Sequence, residues 1–238
     1  MLGMPGLHSW IRQLPEPART DVLTVMRHRT VAKGAPFYLL GSPPNECYMI
    51  DSGRIRVCNF SDTGKEVCMG ELFSGDCIAE LGMIDGLPRF NNAFAAEDSV
   101  VLVLKKSDFD RLYEQHVAIA RSLNLFLAHR VRYLYVSAED ARVLSLNQRL
   151  ARMLSRMGWG SGIRGENGEI MIESVSHETL GHMLGATRQA VSLEMKILEK
   201  AGLVRVSYSR VFIPDIKALV SKFENLLGGE SIVPDYRG

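Results

Sequence analysis

The chain has 238 residues, 46% hydrophobic and 23% charged, with a net charge of +1. This composition excludes extended disorder and leaves room for one large domain or two small ones. No run of about 18 apolar residues is present, which excludes a membrane-spanning helix, and the opening MLGMPGLHSWIRQLPEPARTD lacks the uninterrupted apolar core of a signal peptide. The expected location is the cytoplasm, with no membrane partner. Residues 1–144 carry 16 Lys and Arg against 17 Asp and Glu, and residues 145–238 carry 12 against 10. So small an asymmetry does not identify a nucleic-acid partner, and any such argument must rest on motifs.

In chain order, Pro17 to about Arg27 forms a short helix. From Phe37 to Leu104 short β-rich runs follow: FYLL, ECYMI, RIRVCNF, KEVCMGEL, DCIAEL and SVVLVL. Turns at Gly41–Asn45, Asp51–Gly53, Ser61–Gly64 and Ser74–Asp76 separate them. Many short strands at regular spacing predict a roll, barrel or sandwich. All four cysteines, Cys47, Cys58, Cys68 and Cys77, fall in this region, none in a C-x-x-C spacing. They are expected as free, buried thiols; a redox or iron-sulfur sensor is the alternative. Cys58 and Cys68 stand at opposite parity around their turn and are expected on opposite faces.

Ser107 is an N-cap type, and about 35 residues without Pro or Gly follow it, to about Arg142. Ala120, Asn124, Leu127, Val131, Leu134, Ala138 and Ala141 alternate steps of four and three, a heptad seam. A helix that long spans about 50 Å. One small β domain cannot cover it, so the seam predicts pairing with a second copy, with Asn124 fixing register; packing on the chain's own β domain is the alternative. Ser145 then caps a helix, NQRLARMLSRM, ending before Gly158. The glycine-rich stretch 158–168 reads as a loop, and EIMIES as a strand.

The segment Ser176–Gly202 reads SHETLGHMLGATRQAVSLEMKILEKAG. Ser176 caps a first helix, Gly185-Ala186 turns, and Thr187 caps a second helix ending at Gly202. Val191, Met195 and Leu198 recur at i, i+4, i+7 and form the buried face, with Leu180 and Leu184 opposite. Arg188, Gln189, Ser192 and Lys196 are left exposed near the N-terminal half of the second helix. Arg forks onto guanine, Gln onto adenine, and Lys meets phosphate. His177, at the start of the first helix, is placed near DNA phosphate. LVRVSYSRVFI follows as a two-stranded wing, with Arg205 and Arg210 as phosphate contacts. A plain helical hairpin with a solvated polar face is the competing explanation.

The predicted fold class is α+β: an N-terminal β-roll with a short helix over residues 1–108, a dimerisation helix and hinge over 109–144, and a winged helix-turn-helix over 145–238. This order resembles the cyclic-AMP receptor protein and fumarate-nitrate regulator (CRP/FNR) family over about residues 30–215. Its marks here are the Gly53 turn in IDSGRIRV, SGDCIAELGMIDGLPR, the long helix, and LGATRQAVSLEMKILEKAGLV. The resemblance implies a cyclic-nucleotide-binding-like jelly roll, a homodimer, and two recognition helices about one DNA turn apart on an inverted repeat. It implies RNA polymerase as a partner. It makes Arg188, Gln189 and Ser192 base readers, with Lys196 on phosphate. Many relatives carry Arg at the position of Leu193; Leu can contact only a thymine methyl, so the half-site differs.

Cyclic-AMP-binding relatives cradle ribose and phosphate with Gly-Glu-Leu and an Arg-Ser pair. Here these are Ala79-Glu80-Leu81 and Arg89-Phe90. Leu134 and Tyr135 stand where such relatives place polar residues against the purine. The phosphate hook is half present, and Glu80 with Arg89 also reads as a structural ion pair. A cyclic nucleotide, another small effector and no effector all stay open, with cyclic AMP itself disfavoured. No metal is expected: no Cys precedes Cys47, and His8, His28, His116 and His129 show no spacing that suits haem. No catalytic motif occurs, Ser174 and Ser176 near His177 included, so no enzyme is expected. The expected function is a sequence-specific DNA-binding transcription regulator. The alternative is a cyclic-nucleotide-binding regulatory module that does not act on DNA.

Overall fold

The computed structural model describes residues 9–64, 66–165, 167–173 and 175–222; His8, Ser174 and residues 225–238 lie outside them. The chain divides into two compact units, one ending at Val131 and the other beginning at Arg132.

In the first unit, α1 (Ala18–Val25) precedes β1 (Arg27–Val31), β2 (Pro36–Tyr38), β3 (Glu46–Ser52), β4 (Ile55–Phe60), β5 (Glu66–Leu72) and β6 (Cys77–Ile78). After α2 (Leu81–Asp85) come β7 (Asn92–Ala95) and β8 (Ser99–Lys105). The strands form two four-stranded sheets, β1-β8-β3-β6 and β2-β7-β4-β5. Inward residues of both sheets, among them Ile50, Val101 and Val103 against Ile55, Val57 and Ala93, make one apolar core. Alternating burial along β8 is the pattern expected of strands with one face inward. β1 and β7 are strands that the sequence reading does not name. β1 (RHRTV) is a sheet edge with only Val31 buried, so its own residues carry little strand signal and its ladder to β8 defines it.

The β4–β5 hairpin corrects the expectation for two cysteines. Cys58 stands directly opposite Cys68, and Phe60 opposite Glu66. Directly opposed residues share a face, so the two side chains lie on the same side of the sheet. Five residues, 61–65, separate the strands, one more than the turn Ser61–Gly64, and one residue of length inverts the parity of the pairs beyond it. All four cysteines are buried free thiols. Burial pushes Cys58 up to about 11 and Cys77 up to about 12, away from the reactive thiolate.

Asp76 closes the next turn, its Oδ2 accepting from the Phe73 backbone N–H at 2.9 Å. Burial pushes its carboxyl up to about 6. The unfolded chain releases this proton near pH 4, so the native state binds more protons between about pH 4 and 6. Native stability is therefore lost as pH rises through that window, and the full penalty applies above it. Asp76→Asn should raise stability at pH 7 by up to about 3 kcal/mol and remove this slope. Urea unfolding of both proteins at pH 4.5 and pH 7 checks it; identical slopes would refute it.

The single long helix expected from Ser107 is two helices, α3 (Lys106–Gln115) and α4 (Val117–Val143). Lys105, not Ser107, is the N-cap residue of α3. The break falls at His116, whose backbone is extended (φ −123°, ψ 100°) and whose Nε2 meets the Asp21 carboxylate of α1 at 2.9 Å. Phe109 and Leu112 before the break, and Ile119, Leu123 and Phe126 after it, enter one cluster with Trp10. Burying these groups around one indole, rather than any local breaker, accounts for the bend. α4 alone spans about 40 Å.

The second unit continues with α5 (Leu146–Ser161), β9 (Ile163–Arg164), β10 (Ile170–Glu173), α6 (His177–Leu184), α7 (Arg188–Lys200), β11 (Arg205–Ser207), β12 (Arg210–Ile213) and α8 (Ile216–Val220). Ser145 and Gln148 make a reciprocal capping box at the start of α5. Contrary to expectation, α5 runs through Gly158. A Cβ there would stand 3.1 Å from Ile213 and 3.2 Å from Ile216, so the missing side chain admits close packing instead of ending the helix. Near the end of α4, Asp140 is buried. Its Oδ1 accepts from Arg152 at 2.8 Å, its Oδ2 meets Arg156 at 3.2 Å, and both arginines of α5 are buried with it.

Candidate functional site

α6 and α7 form the helix-turn-helix expected from the sequence. Ser176 Oγ accepts from the Thr179 N–H at 3.0 Å, and Gly185 ends α6 in the left-handed region at φ +63°. Thr187 Oγ1 accepts from the Ala190 N–H at 3.1 Å and so starts α7. Gly181 is a residue the sequence reading missed. A Cβ on it would lie 2.7 Å from the Ala186 carbonyl oxygen, so the tight turn needs glycine there. A glycine four residues before Gly185, on the inner face of α6, was the available signal.

Val191, Met195 and Leu198 are fully buried and pin α7 to the unit's core with Leu180 and Leu184. The other side of α7 carries exposed Arg188, Gln189, Leu193 and Lys196, and half-buried Ser192. Hydrogen bonds between the motif and residues outside it set the pose of these helices. Arg149 donates to the Leu184 carbonyl at 3.0 Å, Asn147 to the Glu194 carboxylate at 3.0 Å, and Glu199 accepts from the Val206 N–H at 2.8 Å. His177 is half-buried; its Nε2 is enclosed and has no hydrogen-bond partner among the described residues.

The wing is the β11–β12 hairpin. Tyr208 at its tip is 96% exposed, and Ser209 takes φ +53°. Arg205 lies 4.0 Å from the Phe212 ring centre and 3.1 Å from Glu169, and Arg210 lies 3.3 Å from Glu173. Such exposed pairs are worth about 0–1 kcal/mol, so they leave both guanidinium groups able to turn to phosphate.

In the β-roll, Ala79 sits at φ +76°, the conformation glycine favours, so this position keeps a glycine backbone without its residue. Arg89 is turned inward. Its Nη1 donates to the Ala79 carbonyl at 2.7 Å, its Nη2 donates to the Glu46 carbonyl, and its guanidinium lies 4.9 Å from the Tyr38 ring centre. The expected Glu80–Arg89 ion pair is not formed. Glu80, only 2% exposed, pairs with Arg130 of α4. Main-chain carbonyls take both terminal nitrogens of Arg89, and the Glu80 carboxylate pairs elsewhere. Leu81 is half-buried and Phe90 exposed.

On α4, Ile119, Ser122, Leu123, Phe126, Val136 and Asp140 are buried. Asn124, Val131, Leu134, Ala138 and Ala141 of the seam are exposed and Leu127 is half-buried, as is Ala120. Val131 is 49% exposed, Leu134 41% and Tyr135 75%, an apolar stripe left uncovered by this chain. Among the described residues no group of three or more His, Cys, Asp or Glu is placed to hold a metal, and no helix is long and apolar enough to cross a membrane.

A two-sheet β-roll, a long helix and a winged helix-turn-helix define a DNA-binding protein with a sensor-type domain. The family models agree: residues 28–116 match the cyclic nucleotide-binding domain and residues 148–221 the Crp-like helix-turn-helix domain. The chain belongs to the CRP/FNR family. It is 24% identical over 220 residues to the cyclic AMP receptor protein of Thermus thermophilus, covering 92% of this chain and 96% of that one. It is 27% identical to the cAMP-activated global transcriptional regulator Vfr of Pseudomonas aeruginosa, covering 76% and 85%. Among solved structures, a CooA mutant from Carboxydothermus hydrogenoformans superposes with TM-score 0.70 at 23% identity, covering 84% of this chain and 88% of that one.

Proposed function

We propose that this protein is a transcription regulator that binds an inverted-repeat DNA site as a homodimer and answers to a small molecule in its β-roll. The observation that carries the reading is α7: capped, locked by a buried face, and presenting Arg188, Gln189 and Lys196 to solvent with half-buried Ser192 among them. Arg188 and Gln189 read bases, Lys196, Arg205 and Arg210 hold phosphates, and His177 lies at the phosphate edge. The exposed stripe of α4 supports the dimer, since a second copy would cover Val131, Leu134, Ala138 and Ala141 and set Asn124 against its equivalent. The division of labour follows residues 1–108 for sensing, 109–144 for dimerisation and 145–238 for DNA. RNA polymerase is the expected protein partner and the cytoplasm the expected location. No catalytic role is proposed.

The effector would bind beside Ala79, Glu80, Leu81, Arg89 and Phe90. Arg89 is already committed to two carbonyl oxygens, and Phe90 offers no hydroxyl. Both facts favour an effector other than cyclic AMP. Selection from a random duplex pool should enrich an inverted repeat with half-site centres about 10 bp apart. Leu134→Glu should sediment as a monomer and lose most affinity for the full repeat. A pool that enriches no sequence would overturn the reading.

A further inference from the structure

α7 presents more than polar groups to solvent. Leu193 is 61% exposed, and Ile197, one turn further on, is 44% exposed. The core of the unit draws Val191, Met195 and Leu198 from the other side of the helix and leaves these two out. Lys196 lies beside them, exposed, with Gln189 one turn before Leu193 and Lys200 beyond. Apolar groups gain by being covered, and the flanking cations say by what: a surface that is anionic at its edges and apolar within. The major groove of DNA is such a surface, because phosphates rim it and each thymine places a C5 methyl on its floor.

We propose that Leu193, with Ile197 beside it, reads a thymine methyl in each half-site, so the operator carries a preferred thymine next to the bases read by Gln189 and Ser192. The inference rests on the DNA-binding role proposed above. Leucine has no donor or acceptor, so it can select only by the presence of the methyl: thymine and 5-methylcytosine over uracil and cytosine. The side chain is well placed for this, since the Thr187 cap and the Asn147–Glu194 hydrogen bond hold α7 on either side of it.

The test uses the full chain and its selected operator, with each half-site thymine replaced in turn by deoxyuridine. At one position the wild type should lose about fourfold in affinity, the worth of one buried methyl. Leu193→Ala, which removes the contact from both half-sites, should bind the thymine operator about sixteenfold more weakly and no longer distinguish thymine from uracil there. Its exposed site makes misfolding unexpected, and an unchanged melting curve confirms that. The proposal is overturned if the wild type ignores every uridine substitution, or if Leu193→Ala keeps full discrimination. A protein that selects no sequence at all fails earlier, and takes the DNA-binding reading down with it.

Discussion

Replacing Asp140 with alanine should destabilise the second unit by about 3–5 kcal/mol, the cost of removing one member of a buried ion cluster. One carboxylate receives Arg152 at 2.8 Å and Arg156 at 3.2 Å, and the side chains of all three are no more than 7% exposed. Arg156 also lies 5.7 Å from the Tyr133 ring centre, so two side chains of α4 meet it. Alanine would take from two buried guanidinium groups the carboxylate they share. Asp140→Asn keeps the shape and one acceptor and should cost less. The triple change Asp140→Leu, Arg152→Met, Arg156→Met should recover most of the loss, because the desolvation penalty goes with the charges. Urea unfolding measures each; a loss below about 1 kcal/mol for Asp140→Ala would show a weak surface-like pair. The cluster spans the corner at Leu144-Ser145, so it ties the last turns of α4 to α5.

The double change Arg188→Ala, Gln189→Ala should remove about 2–6 kcal/mol of specific DNA binding per half-site, at about 1–3 kcal/mol for each bidentate base contact. Both residues are exposed, so the fold should stand. Binding to scrambled DNA should persist, since Lys196, Arg205 and Arg210 are untouched and phosphate contacts carry no sequence information. Fluorescence anisotropy on selected and scrambled duplexes at fixed salt gives the ratio that matters. An unchanged ratio would mean that α7 does not read bases. Lys196→Ala is the contrasting control: it should weaken both duplexes alike and lower the salt slope by about two, one for each protomer.

The helix-turn-helix was legible because its signals are local. Ser176 and Thr187 cap backbone N–H groups three residues away, Gly185 supplies a left-handed residue, and 3.6-residue spacing sorts Val191, Met195 and Leu198 from the exposed polar residues. The heptad stripe of α4 was legible for the same reason: periodicity alone marks one face. The strands with alternating apolar residues were readable; edge strand β1, exposed along nearly all its length, was not.

The sensor site shows where such reading stops. The sequence placed Glu80 and Arg89 near each other and stopped there. Their partners come from Glu46, 43 residues before Arg89, and from Arg130, 50 residues after Glu80. The face shared by Cys58 and Cys68 turned on one residue of loop length, the passage of α5 through Gly158 on the nearness of Ile213 and Ile216, and the break at His116 on a shared apolar cluster. By itself the sequence determined the caps and buried faces of α6 and α7, the order of β-roll, long helix and winged helix-turn-helix, and the residue types that α7 exposes, because each depends on local neighbours or pattern. Only the tertiary structure decided strand register, the commitment of Arg89 and the ion cluster at Asp140. Those depend on which distant groups meet once water is excluded, and burial makes every charge there find a partner.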